Sequence, residues 1–212
     1  MRMFAALIGL VIGFSVAVSS VAAGYTEGKE YVVLPERIVP ANSSKIEVAE
    51  FFSFACPHCY KFEPLLQAWA KKLPADVALV QTHVSFNRSD WANYQRGYYT
   101  MLSLGVKNKA QDAVFNSIYI ANKNLSGAQD WADFLSLYGV DKQKTLSTYN
   151  SFGVNSQVKQ AETRTRDFKI PSTPAVIVDG RFRVAVANQE EMIKVAQFLV
   201  EKVRAERGTK KP

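Results

Sequence analysis

Cys56 and Cys59 are the two cysteines of this 212-residue chain, with Pro57 and His58 between them. Two thiols at that spacing can close a small disulfide, supply half of a metal site, or cycle between dithiol and disulfide. As a staple the four-residue loop is poor, because loop entropy gives it roughly 2 kcal/mol, less than a longer loop would have. A chain of this length also buries a core without one. As a metal site the pair lacks company: there is no second Cys-x-x-Cys, and one of the two histidines sits inside the loop itself, whereas a structural zinc takes four ligands. No metal and no cofactor is expected.

The redox reading has a physical mechanism. Pro57 suits the first position of a helix, where its missing N–H is no loss, so Cys56 becomes the N-cap and Cys59 the third helical residue. An N-cap side chain accepts from the N–H groups that follow it and feels the positive end of the helix dipole. Both effects favour thiolate over thiol, and a cation on His58 would add to them. Cys56 is therefore expected to have a strongly depressed pKa and to be the attacking and leaving sulfur, with Cys59 more buried and resolving. A stabilised thiolate makes the disulfide easily reduced and the protein an oxidant.

The elements that must hold this loop are legible on either side of it. Ile46 to Phe54 is almost continuously apolar, as in a central strand buried on both faces, with Glu50 as the exception. After the loop, Phe62, Leu65, Leu66 and Trp69 recur at helical spacing up to Lys71 and Lys72, and Val77 to Val84 reads as a second strand. That order is a β-α-β unit on a parallel sheet. Before it, Tyr31 to Leu34 reads as an edge strand.

From Trp91 to about Phe168 the period is helical. Trp91, Tyr94, Tyr98 and Met101 lead to Gly105 as a C-cap, and Val114, Phe115, Ile118 and Ala121 form a second face. Ser126 with Gln129 fits a capping box ahead of Trp131, Phe134, Leu135 and Tyr138. Further helices are read at Leu146 to Phe152 and Val158 to Phe168. Ala175 to Val178 and Phe182 to Val186, joined at Asp179-Gly180, read as a hairpin. Gln189 to Arg207 reads as a final helix with Met192, Val195, Ala196, Leu199 and Val203 on one face. His83, Trp91, Tyr94 and Trp131 are read as packing residues.

At 48% hydrophobic and 21% charged, the composition excludes collagen-like, low-complexity and disordered classes. The formal charge of +7 is modest, and much of the excess lies near the C-terminus at Lys202, Arg204, Arg207, Lys210 and Lys211. Arg2, the apolar run Phe4 to Val18 and the small residues up to Ala23 fit a secretory signal cut after Ala23. The run is shorter than the roughly 20 residues that span a bilayer and is interrupted by Gly9 and Gly13. The mature chain is expected to be exported and soluble. Nucleic acid is not an expected partner, since no basic stripe interleaved with aromatics occurs.

The run Glu50-Phe51-Phe52-Ser53-Phe54-Ala55-Cys56-Pro57-His58-Cys59-Tyr60-Lys61-Phe62-Glu63 closely resembles the active-site region of the DsbA family, thiol:disulfide oxidases of the Gram-negative periplasm. Gly28-Lys29-Glu30-Tyr31, Leu73-Pro74, His83-Val84 and Thr173-Pro174-Ala175 occur in family order, so the resemblance covers essentially the whole chain after the leader. A low thiolate pKa and an oxidising disulfide are properties for which this family is already known.

The resemblance implies an α/β thioredoxin fold with an inserted all-helical domain. Residues 24–88 and 169–207 form the thioredoxin part and 89–168 the insertion, with 1–23 the cleaved signal and 208–212 a disordered tail. It also implies a cis Pro174 facing the disulfide, Thr173 tuning the thiolate and contacting substrate, and Glu50 beneath the buried cysteine as a proton relay. The family's usual partner for that acid is a lysine on the next strand, at the position occupied here by Gln81. Without its cation a buried carboxylate should have a raised pKa, or water must replace the pair, and Glu50 is expected to modulate the rate without being essential.

The implied function is a monomeric periplasmic oxidase. It passes the Cys56–Cys59 disulfide to reduced, unfolded secreted proteins through a mixed disulfide at Cys56, and a DsbB-like membrane quinone reductase reoxidises it. One rival is an isomerase or reductase, which works from the reduced state and usually carries a dimerisation domain; none is read before Ile46. Another is a periplasmic binding module whose disulfide is incidental, and Cys56→Ala would leave that activity intact.

Overall fold

The computed structural model describes residues 24–40 and 44–208, so the expected signal segment and residues 209–212 of the expected tail lie outside the described residues. In chain order the elements are β1 (Tyr31–Val33), β2 (Ile46–Phe52), α1 (Pro57–Ala70) and β3 (Val77–His83). Five consecutive helices follow: α2 (Ser89–Ser103), α3 (Lys107–Tyr119), α4 (Ala128–Ser136), α5 (Lys142–Tyr149) and α6 (Phe152–Asp167). The chain then returns to strands β4 (Ala175–Val178) and β5 (Phe182–Val184) and ends in α7 (Gln189–Gly208). The described strands form one sheet of order β1-β5-β4-β2-β3. β2 and β3 run parallel, as the α1 crossover requires, and the remaining neighbours are antiparallel.

The apolar run of β2 is buried along its whole length. Because side chains alternate across a strand, Val48 packs with Phe62 and Leu66 of α1 and with Val195 and Leu199 of α7. Ala49 and Phe51 face the other way, onto Phe168 and Ile170 beyond α6. Glu50 shares the face of Val48 and therefore lies on the side covered by α1. A third core belongs to the helices between β3 and β4, where Phe115, Trp131 and Leu135 are fully buried. The end of β2 is planted in it: the Phe52 ring lies 5.2 Å from that of Tyr98, and the Phe54 ring 4.9 Å from that of Phe115. Trp131 of α4 lies across Gly97 of α2, where a β-carbon would fall 1.9 Å from the indole. The two helices approach at a distance that glycine alone permits.

Several boundaries differ from those read in the sequence, each for a local reason. β2 stops at Phe52 because the Phe54 N–H leaves the ladder and donates to Nε2 of His83 at 2.9 Å. The Ser126/Gln129 capping box does not form. α4 starts at Ala128, and its capping acid is Asp130, whose carboxylate accepts the Ser126 N–H at 2.8 Å. α5 ends at Tyr149 and α6 begins at Phe152, because Ser151 caps the latter by accepting the Val154 N–H at 3.2 Å. α7 runs through Gly208 and so takes the first residue assigned to the tail. Gly105, at φ +71°, follows the end of α2 as expected. Asp179 and Gly180 turn the β4–β5 hairpin with positive φ at both positions, and the Asp179 carboxylate anchors Arg37 at 3.0 Å and Arg207 at 2.6 Å.

Candidate active site

Cys56 is the N-cap of α1. Its backbone is extended (φ −99°, ψ 112°), Pro57 follows inside the first turn, and its Sγ accepts the Cys59 N–H at 3.3 Å. The Ser53 carbonyl accepts the Cys56 N–H at 3.1 Å, which holds the approach to the cap. Both cysteines are free thiols in this structure. The Cys56 pKa is lowered to about 5, first by the Cys59 thiol donating to its sulfur, then by the Thr173 side chain and the backbone N–H groups of Cys59 and His58; burial works against them. Burial, the Cys56 sulfur and the charge of Glu50 push the Cys59 thiol well above its ordinary range. At neutral pH the pair is therefore one thiolate and one thiol.

Other parts of the fold close around this cap. The Cys56 thiol donates to the Thr173 carbonyl at 3.4 Å, and the peptide bond between Thr173 and Pro174 is cis. The His58 side chain is exposed, and its carbonyl accepts from the Gln189 side chain at 2.7 Å, which ties α1 to the start of α7. Tyr60 stacks on Tyr119 of α3 at 4.8 Å. His83 is buried beneath the loop with its pKa lowered to about 3 by burial, so it is a neutral acceptor for the Phe54 N–H. Tyr94 and Trp131 are buried in the helical core, and Trp91 packs against it half-buried.

Glu50 is fully buried, and its pKa is raised to about 8, first by burial and then by repulsion from Glu63. It is not alone. Gln81, its register partner on β3, donates through Nε2 to Glu50 at 2.7 Å and to Glu63 at 3.1 Å. The other end of the same amide, Oε1, accepts from Lys107 Nζ at 2.5 Å. Gln111 donates to Glu63 and, at 3.2 Å, to Gln81 Oε1; Gln67 donates to Glu63 at 2.8 Å. Burial raises the Glu63 pKa and lowers that of Lys107.

The cation absent from β3 is thus present on α3, one side chain further out. Glu63, Lys107 and Gln111 were not picked out as site residues from the sequence. The sole signal was Gln81, whose neutral side chain beside a buried acid announced a missing charge without saying where it would come from. The remaining sequence-selected residues come together here: Cys56, Pro57, His58 and Cys59 at the helix start, Thr173 and Pro174 against the sulfur, and Glu50 on the strand below.

A low-pKa cysteine capping a helix, a buried high-pKa cysteine one turn on and a cis-proline loop against the first sulfur, on this sheet order, define a thioredoxin-fold dithiol–disulfide oxidoreductase. The family model for the DSBA-like thioredoxin domain matches residues 47–199. The thiol:disulfide interchange protein DsbA of Pseudomonas aeruginosa is 40% identical over 184 residues, covering 85% of this chain and 87% of that protein. The protein of that name from Burkholderia cepacia is 35% identical over 201 residues, 93% of each chain. A crystal structure of Pseudomonas aeruginosa DsbA superposes with a TM-score of 0.81 at 38% identity, over 87% of this chain and 97% of that one. The oxidoreductase DsbA of Xylella fastidiosa gives 0.82 at 29% identity, over 85% and 98%. The chain belongs to the DsbA-like thioredoxin family and is a disulfide oxidoreductase.

Proposed function

We propose that this protein is a disulfide donor of the periplasm, which in its oxidised form passes the Cys56–Cys59 disulfide to reduced, unfolded exported proteins. The observation that carries this reading is the Cys56 sulfur at the N-cap of α1, favoured as thiolate down to about pH 5. A substrate thiolate attacks Cys56 Sγ, the bond to Cys59 breaks, and Cys59 leaves with the electron pair and takes a proton. A second substrate thiolate then attacks the substrate sulfur of the mixed disulfide, and Cys56 departs as a stable thiolate. The substrate dithiol is oxidised and the Cys56–Cys59 disulfide reduced. Each pKa unit of thiolate stabilisation is about 1.4 kcal/mol in favour of the reduced form, which makes the disulfide oxidising.

In this reading Pro57 shapes the cap and His58 stands exposed beside it. Thr173 and Pro174 face the incoming substrate, and Glu50 supplies the proton to Cys59. Residues 1–23 direct export and are removed. Residues 24–88 and 169–207 make the thioredoxin part, with 89–168 inserted between them. The protein acts as a monomer and is reoxidised by a DsbB-like membrane quinone reductase.

Equilibrating the mature chain in glutathione buffers and reading Cys56–Cys59 by thiol labelling and mass tests this. A potential well above the about −270 mV of thioredoxin is expected. A thioredoxin-like value would replace the oxidase reading with a reductase or isomerase, and activity retained in Cys56→Ala would replace it with a binding module.

A further inference from the structure

Four elements meet around one polar cluster: Glu50 of β2, Gln81 of β3, Glu63 of the active-site helix α1, and Lys107 and Gln111 of α3. The Gln81 amide is oriented by its partners. Its donor end must face the two carboxyl groups, and its acceptor end must face the ammonium. Fixed this way, it joins the acids to a cation that belongs to a different part of the chain. Oε2 of Glu50 is held by Gln81, while Oε1 is buried without a hydrogen-bond partner. A buried carboxyl oxygen left unpaired is costly as part of an anion and tolerable as a protonated O–H. At its outer end the cluster reaches water through a cleft of about 300 Å³ lined by Glu63, Gln67, Lys71, Lys107, Gln111 and Asp112.

We propose that Lys107 is a positioning residue of the disulfide exchange. Acting through the Gln81 amide, it sets the proton affinity of the Glu50/Glu63 pair, and with it the protonation of Cys59 as that sulfur leaves or attacks. The inference rests on the donor reading above and deepens it. When the Cys56–Cys59 bond breaks, Cys59 leaves as a thiolate and takes the proton of Glu50; the new carboxylate is stabilised by the Gln81 amide, whose oxygen end rests on the Lys107 ammonium. Glu50 regains a proton from solvent by way of Glu63 and the cleft. In the reverse direction Glu50, as carboxylate, accepts the Cys59 proton, and the Cys59 thiolate attacks Cys56 Sγ of a mixed disulfide and expels the other sulfur as a thiolate, which takes its proton from solvent.

The charged and titratable groups around Glu50 are Glu63 and Cys59 of α1, Cys56 at its cap, Tyr98 of α2 and Lys107 of α3. Asp112 of α3 adds a negative charge near Glu63 and Lys107. Lys107 is the cation that contacts the cluster among the described residues.

The test uses the mature protein carrying glutathione on Cys56. The rate at which Cys59 expels glutathione is followed against pH in wild type, Lys107→Met and the double variant Lys107→Met/Gln81→Lys, which moves the cation onto the neighbouring strand. Loss of the ammonium is expected to shift the inflection of the profile upward by about one pH unit, with the double variant returning it toward the wild-type position. The Cys56 alkylation midpoint should stay unchanged in all three. An inflection that does not move in Lys107→Met overturns the proposal, and so does a shift that Gln81→Lys fails to reverse. If Lys107→Met does not fold, Lys107→Gln gives the same comparison, and infrared titration of the buried carboxyl band, assigned by its loss in Glu50→Gln, reads the proton affinity directly. A wild type that fails to oxidise a dithiol peptide sinks the donor reading alone. One that oxidises it while Lys107→Met keeps its profile sinks this inference alone.

Discussion

The Sγ of Cys56 lies 3.4 Å from the carbonyl oxygen of Thr173, 117 residues further along the chain. The contact has two faces. As a thiol, Cys56 donates to that carbonyl and loses the bond on ionising; the Thr173 side chain works the other way and favours the thiolate. The thiolate prevails because the larger contribution comes from within α1, where the Cys59 thiol and the N–H groups of the first turn converge on the same sulfur.

Alkylation of the reduced protein should therefore titrate with a midpoint near pH 5 at Cys56, while Cys59 stays unreactive until strongly alkaline pH. Peptide mapping after iodoacetamide pulses at each pH reads both sites. The same shift carries a stability signature. A folded pKa below the unfolded value of about 8.5 means that the stabilisation is complete above that pH and is lost as pH falls through about 5. Urea denaturation should find the advantage of reduced wild type over Cys56→Ala shrinking across that window.

Glu50 has the opposite sign. Its pKa is raised from 4.5 to about 8 on folding, so the folded state binds a proton that the unfolded chain releases. Its contribution is most favourable below pH 4.5 and is lost as pH rises through about 8. Glu50→Gln should gain stability relative to wild type over that range, on the order of a few kcal/mol at the alkaline end, as read by denaturant midpoints. Turnover of a dithiol peptide should fall without being abolished.

Thr173→Val removes the hydroxyl that favours the thiolate and keeps the backbone carbonyl. The Cys56 pKa should rise by up to about one unit, read from the ultraviolet thiolate absorbance against pH. An unchanged value would assign the whole effect to α1.

Gly97→Ala puts a methyl group where the Trp131 indole lies, 1.9 Å from the built β-carbon. Although alanine is the better helix former, overpacking should prevail and destabilise the protein by about 1–3 kcal/mol. The thermal midpoint and the tryptophan fluorescence of the folded state check this.

The features that were legible in the sequence are those whose causes are local. A helix cap acts over three residues, so Pro57 and the cysteine spacing sufficed to place Cys56 as the N-cap. The long apolar stretch of β2 identified a central strand, and Glu50 stood out against it as a single polar interruption. The cis bond at Pro174 came through family resemblance, since nothing within Thr173-Pro174-Ala175 distinguishes it from an ordinary turn. Glu63 and Lys107 were invisible for a related reason. Nothing in their own segments marks them out, and they meet because α1 and α3 bring Glu63 and Lys107 to opposite ends of the Gln81 amide. The capping box at Ser126 does not form because α4 is capped one residue later, at Gly127, and the Asp130 carboxylate accepts the Ser126 N–H that Gln129 would have taken.

Phe52 and Phe54 stand at the end of the central strand, yet their rings lie among those of Tyr98, Phe115 and Trp131. The cysteine loop begins two residues later, so it is moored at one end to the sheet and at the other to the helices. Removing helices α2–α6 would strip the loop of its footing and would not leave a minimal working thioredoxin. The amides of Phe54 and Ala55 should exchange with deuterium at the rate of the helical core, so that the melting of helices α2–α6 and the loss of the cysteine loop are one event.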